Sequence, residues 1–283
     1  MSKELVIDAH GRLRLTVDDF LGKNVAVLGL KGYGKSNTAA VLAEEFLEAG
    51  LPICIIDIKG EYWGLKEKYK LYIIGRTVNA EPEAIDARIS AQSARKAAIN
   101  SYTKAVSVIL DVSGFTLEER EGFLSVYFQT LWDISNDPAY RHPYMIFIDE
   151  AMEFVPQGGG TSIKSLMINI TCQGRSRGLG VVVIGQRAAT IDKNVLTMAD
   201  LFFFHYTSFD VDVNRYTSQM AMARPKAQDA IRKLRRGECL LVQNENTTWY
   251  KIRMRTTPHK SHTPTMADLP TERGVDTVQG LLL

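Results

Sequence analysis

Cysteine is scarce in this 283-residue chain. The three thiols, Cys54, Cys172 and Cys239, lie far apart, are odd in number and form no C-x-x-C pair. That argues against a disulfide framework or a cysteine zinc site and fits a reducing compartment. Long apolar runs are missing too. No window approaches the ~18 apolar residues of a membrane span, and the opening "MSKELVIDAHGRLRL" lacks the apolar stretch of a secretory leader. The expectation is a soluble, cytoplasmic protein with no membrane partner. Net charge is nearly absent at +2, so bulk charge points to no partner class and only its distribution can. There is no internal repeat and no low-complexity block.

What is present is a regular alternation. Apolar runs at 24–29, 53–58, 70–75, 105–112, 144–150, 180–186 and 201–206 read as strands. Between them, 36–49, 81–104, 116–134 and 161–174 read as helices. Residues 211–236 are mostly helical, and 238–244 with 248–255 read as a closing β-hairpin. Thr116-x-x-Glu119 is a capping-box signal for the helix that follows. Strands alternating with helices mean α/β with a largely parallel sheet. Runs as apolar as "MIFI" and "VVVI" suit a sheet covered on both faces.

The first strand leads into Gly29-Leu30-Lys31-Gly32-Tyr33-Gly34-Lys35-Ser36, followed by Asn37. This is G-x-x-x-x-G-K-[ST], the P-loop of nucleotide-binding enzymes. Its glycines let backbone N–H groups converge on phosphate oxygens, and the next helix points its positive end at the anion. Lys35 would reach the β- and γ-phosphates and the Ser36 hydroxyl would ligate Mg²⁺. Lys31 is a rim residue without an assigned role. No N-K-x-D guanine reader follows, since "DKNV" (192–195) has the wrong order. ATP is therefore the expected nucleotide.

Asp149 and Glu150 close the apolar strand "MIFIDE". Asp149 would hold Mg²⁺ through water, and Glu150 would polarise an attacking water. A hydrolase needs such a glutamate, whereas a P-loop kinase does not. Gln186 ends the later strand "GVVVIGQ" and suits a sensor of the γ-phosphate. Asp57 and Glu61, in "DIKGEY", could sit near the nucleotide, or Gly60 could merely make a turn.

Taken in order, "GKSNT" (34–38), "IIDIKGEY" (55–62), "SVILDVSGFTLEER" (107–120), "MIFIDEAMEFVP" (145–156) and "GRSRGLGVVVIGQRAATIDKNVLTMADLFFFH" (174–205) resemble the HerA/FtsK superfamily of ring-forming DNA-translocating ATPases, and HerA above all. The resemblance covers about residues 20–255. It implies a RecA-like P-loop fold with the additional strand of the catalytic-glutamate class, and it implies ATP and Mg²⁺. It further implies a homohexameric ring around double-stranded DNA and an arginine supplied across the subunit boundary. That arginine maps first onto Arg175 and second onto Arg177. The sequence departs from HerA in having only about 20 residues before the P-loop strand, where HerA has a β-barrel. The residues after the hairpin are too few for a winged-helix DNA reader like that of FtsK-type motors, so none is expected here. The expected division is a short segment 1–20, a motor domain 21–255, and a tail 256–283 that docks on a neighbouring subunit or a partner.

Between Val213 and Lys260 there are eleven Lys/Arg against three Asp/Glu. Arg232, Lys233, Arg235 and Arg236 are the densest cluster and candidate DNA contacts. Solvated faces and salt bridges explain them equally well. The glycine-rich stretch 156–165 is a candidate pore loop, with Lys164 as its phosphate contact. The function expected is an ATP-driven DNA translocase for DNA processing, packaging or transfer, working with a nuclease or another effector. The alternative is an ATPase ring that acts as a scaffold or switch for an effector without processive translocation; a monomeric nucleotide switch is a third reading.

Overall fold

The computed structural model describes residues 3–77, 85–88, 90–160, 162–244 and 246–260. Its backbone is a ten-stranded sheet with helices on both faces. Two short strands, β1 (Glu4–Leu5) and β2 (Leu15–Thr16), pair antiparallel outside it. The P-loop strand β3 (Asn24–Leu28) feeds α1 (Lys35–Glu48), which β4 (Ile53–Asp57) follows. Next come β5 (Tyr72–Gly75), β6 (Ala87–Arg88), α2 (Ala91–Thr103) and β7 (Val108–Asp111). The long α3 (Leu117–Ile134) precedes β8 (Tyr144–Ile148), and α4 (Ser162–Gln173) precedes β9 (Leu179–Gly185). The chain finishes through α5 (Lys193–Thr197), β10 (Leu201–Phe204), α6 (Asp210–Thr217), α7 (Arg224–Arg232), β11 (Glu238–Gln243) and β12 (Asn246–Lys251).

The strand order is β12-β11-β10-β3-β9-β8-β4-β7-β5-β6. Every pair from β10 to β6 is parallel; β11 alone runs against them, and β12, antiparallel to β11, returns to their direction. β9 lies between the P-loop strand β3 and the acidic strand β8, which is the additional-strand topology expected above. Burial explains why the strands read as unbroken apolar runs. Val25, Val27, Phe147 and Val182 face α1 and the N-terminal residues Leu5, Ile7 and Phe20. Ala26, Leu28, Ile146, Ile148 and Val183 face α3 and α4. With both faces dry, no polar alternation survives.

Two expectations change. The helix predicted over 81–104 begins only at Ala91; residues 81–84 lie outside the described residues. Ala87 and Arg88 instead pair with Ile74 and Gly75, and the Asp86 carboxylate accepts the Ile73 N–H at 2.8 Å. Unpaired donors at the sheet edge outcompete the helix propensity of an alanine-rich segment. The start of the tail is also tied down. Glu44 of α1 accepts the N–H groups of Thr256 (2.7 Å) and Thr257 (2.8 Å) and the Thr257 hydroxyl. The docking expectation falls on residues 256–283, of which 261–283 lie outside the described residues.

Candidate active site

In parallel α/β sheets, sites form where strands end at their carboxyl edge. Here β3, β9, β8 and β4 are consecutive in the sheet, so their C-terminal ends carry the Gly29–Gly34 loop, Gln186, Asp149–Glu150 and Asp57–Lys59 side by side. Gly34 caps α1 in a left-handed conformation (φ 111°). Gly29 is required for space: a Cβ there would stand 2.5 Å from the Cβ of His205.

Lys35 is buried, and its ammonium donates to the Leu30 carbonyl of its own loop at 3.0 Å. Desolvation lowers its pKa to about 8, opposed by the nearby charges of Glu150 and Asp149. Asp149 is 3% exposed. One carboxylate oxygen, Oδ1, accepts the Glu150 N–H at 2.9 Å, and the other, Oδ2, is buried without a hydrogen-bond partner. Burial raises its pKa to about 6. An orphaned carboxylate oxygen fits a bound cation or the cation's water. Among the described residues no group of three or more His, Cys, Asp or Glu could hold a metal by itself. An ion here would need its remaining ligands from a phosphate group, as Mg²⁺ sites in nucleotide enzymes do.

Glu150 adopts a left-handed backbone (φ 46°) that costs a non-glycine residue about 1–2 kcal/mol. Its Oε1 is doubly engaged, accepting from the Gln186 side-chain amide at 2.8 Å and from the Lys59 ammonium. Burial pushes the Glu150 pKa up, but the Lys59 and Gln186 hydrogen bonds outweigh it and hold the carboxyl below its usual range. Lys59 is the residue that sequence reasoning missed. It stands inside "DIKGEY", yet only the sheet order reveals that the end of β4 abuts the end of β8.

Asp57 has a structural task. Fully buried, it accepts the N–H groups of Lys59 (3.1 Å), Gly60 (2.8 Å) and Tyr62 (2.9 Å) and so shapes the turn that presents Lys59. Desolvation and the neighbouring Asp111 raise its pKa to about 7. Glu61 turns towards His259, 3.6 Å away.

His205 links the P-loop helix to the hairpin. One ring nitrogen meets the Thr38 hydroxyl at 2.9 Å and the other the Glu238 carbonyl at 2.8 Å. A carbonyl only accepts, so Nδ1 carries the proton and Thr38 donates to Nε2. Burial lowers the His205 pKa to about 4. Tyr33 of the P-loop stacks on Tyr206, with ring centroids 4.4 Å apart. Leu30 and Tyr33 are half-buried, and Lys31 and Gly32 are exposed on the rim.

Several predicted residues sit otherwise than expected. The Asn37 side chain is spent on the chain itself, donating to the Arg253 carbonyl at 2.7 Å and accepting the Arg255 N–H at 3.0 Å, so it clamps the C-terminal segment. Lys164 is buried, and its ammonium meets the Gly159 carbonyl at 2.9 Å and the Asp192 carboxylate at 3.0 Å. It braces the glycine-rich loop from within and offers no free contact to DNA. Arg232 pairs with Asp210 (2.5 Å) and Lys233 with Asp229 (2.6 Å) on exposed faces. Arg235 and Arg236 are exposed, with the Arg236 guanidinium at the P-loop rim, 3.7 Å from where a Gly32 Cβ would stand.

The two loop arginines separate cleanly. Arg177 stacks on Trp132, 3.4 Å from the ring centroid, and donates to the Trp132 carbonyl at 3.1 Å. Arg175 is exposed, in the turn Gly174–Arg177 that precedes β9. That places it at the sheet edge opposite the P-loop, since the seven residues of β9 span about 23 Å.

Comparison with known proteins gives this geometry a family. The family described as "Helicase HerA, central domain" matches residues 4–157, more than half of the chain. The chain belongs to this family. Two curated relatives, both described as the DNA double-strand break repair helicase HerA, are 20% identical to this HerA-family chain. The one from Sulfolobus acidocaldarius aligns over 62% of this chain and 53% of its own length. The one from Saccharolobus solfataricus aligns over 68% and 56%. The chain thus spans about half the length of the curated relatives it matches. Among solved structures, VirB4 of Thermoanaerobacter pseudethanolicus superposes with a TM-score of 0.62 at 14% identity, covering 89% of this chain and 96% of that one. The genome packaging NTPase B204 from Sulfolobus turreted icosahedral virus 2, in complex with AMPPCP, gives 0.53 at 17%, covering 81% and 97%. At these identities the two structures establish a shared fold.

Proposed function

We propose that the chain is the motor of an ATP-hydrolysing, double-stranded DNA translocase that works as a homohexameric ring with a nuclease or other effector. The observation that carries this reading is the convergence of Lys35, Asp149, Glu150 and Gln186 at one sheet edge in a HerA-family chain. Residues 21–255 are read as the motor domain and 256–283 as a docking tail whose first residues are held by Glu44.

The backbone N–H groups of the Gly29–Gly34 loop and the N-terminus of α1 cradle the β- and γ-phosphates, and Lys35 leaves the Leu30 carbonyl to meet them. Ser36 and Asp149 would hold Mg²⁺, which, when bound, neutralises phosphate charge. Glu150 takes a proton from the attacking water, with Gln186 fixing the carboxylate. Arg175 serves a neighbouring subunit, because it stands a strand's length from its own P-loop. The exposed basic residues Arg235 and Arg236 and the weakly paired Arg232 and Lys233 remain the candidate phosphate contacts, since exposed ion pairs are worth only about 0–1 kcal/mol and yield readily to DNA. ATP turnover measured with and without double-stranded DNA tests the reading. A scaffold or switch ring would hydrolyse ATP without DNA dependence.

A further inference from the structure

Two cations and two carboxylates share the space beside the P-loop. Lys35 feels the charges of Glu150, Asp149 and Lys59 together, and Lys59 feels those of Glu150 and Asp149. The Lys59 side chain is 41% exposed, against 12% for Glu150. Its backbone is fixed by the three N–H bonds to Asp57, so the ammonium can swing while its root stays still. In the present arrangement the ammonium and the Gln186 amide both occupy Glu150 Oε1. A carboxylate oxygen loaded in this way makes a poor proton acceptor for water. With Lys59 held on Glu150, the carboxylate is therefore disarmed.

We propose that Lys59 is a γ-phosphate-reading latch: without a triphosphate it ties down Glu150, and on a triphosphate it transfers to the γ-phosphate and frees that carboxylate. The proposal rests on the ATPase reading above and deepens it. The chemistry is an exchange of anions. Glu150 offers one negative charge and one engaged oxygen, whereas a γ-phosphate brings more charge and three oxygens into a site where Lys35 already stands. A diphosphate ends short of that position and leaves the latch closed. Such a residue couples the arming of the glutamate to the presence of the bond to be broken, and it does so within one subunit.

The test is equilibrium binding of ATPγS and of ADP to the full chain. The wild type, Lys59→Met, Lys59→Arg, Glu150→Gln and the double variant Lys59→Met/Glu150→Gln are compared, each checked for a cooperative melt. Loss of one charged hydrogen bond predicts that Lys59→Met weakens ATPγS binding about tenfold and leaves ADP within about twofold. Lys59→Arg retains most of the preference. Because Glu150 competes with the phosphate for Lys59, Glu150→Gln tightens ATPγS binding, and that gain disappears in the double variant. Equal weakening of both nucleotides by Lys59→Met overturns the latch, as does no weakening of either, or a Glu150→Gln gain that survives without Lys59. Wild-type protein that binds neither nucleotide overturns the ATPase reading and the latch with it. Normal wild-type binding with an unaffected Lys59→Met overturns the latch alone.

Discussion

At the residue scale, the proposed reading gives Lys35 and Glu150 separable tasks. Lys35→Ala removes the cation that meets the phosphates, and the account predicts loss of ATP binding by titration. Glu150→Gln keeps the cradle but loses the proton acceptor. It should bind ATP and hydrolyse it at least about 100-fold more slowly, the span of a general base; a wild-type rate in single-turnover assays would remove Glu150 from the mechanism. His205 supplies a pH prediction. Its folded pKa, about 4, lies below the ordinary 6.5. The unfolded chain therefore binds a proton that the folded chain refuses as pH falls from about 6.5 to 4, and stability is lost in that window. His205→Gln removes this loss, so its stability deficit relative to wild type should be smaller at pH 5 than at pH 7.5 in thermal melts. A deficit that does not change with pH would mean His205 is not held neutral. Much at this scale was legible in the sequence. The loop Gly29–Ser36 and the pair Asp149–Glu150 are contiguous stretches, and their chemistry is local. Lys59 and Asn37 were not legible, because their partners Glu150 and Arg253 lie 91 and 216 residues away.

At the element scale, α1 is the hub. Its first turn forms the cradle, and its last turns hold both ends of the domain. Glu44, fully buried, gathers Arg253 (2.7 Å), Thr256 and Thr257, while Glu45 accepts from Val6 and Arg253. Breaking a buried ion pair from one side leaves the other charge unpaired and costs about 3–5 kcal/mol. Glu44→Ala should lower the melting temperature on the order of 10 °C; a shift under about 2 °C would show that the C-terminal segment is not clamped there. Strands were the most legible elements, because burial on both faces leaves an unambiguous apolar run. The segment 81–90 was not, because β6 is held by the edge of β5 and by Asp86, neither of which leaves a periodic signal. A truncation meant to probe the tail belongs after Lys260, since a cut at 256 would also strip Glu44 of Thr256 and Thr257.

At the scale of the whole molecule, the account requires subunits to complete one another. Arg175 stands at the edge opposite its own P-loop, and Arg177 is committed to Trp132. Arg175→Ala should bind ATP like wild type yet lose about 10³-fold in turnover, the lower range for an arginine supplied in trans. Mixing it with Glu150→Gln should restore part of the activity, since some boundaries then pair an intact glutamate with an intact arginine. Confirmed mixed rings without any recovery would exclude a trans role.

The central claim is that ATP hydrolysis at this site drives movement on DNA, and DNA-stimulated turnover tests it most directly. Steady-state ATPase rates of the wild type, with Lys35→Ala as the blank, are measured with and without linear double-stranded DNA at low salt, where phosphate contacts are strongest. The account predicts a Lys35-dependent rate that rises several-fold with DNA and loses that stimulation as salt increases. A Lys35-dependent rate indifferent to DNA at every salt concentration would contradict it.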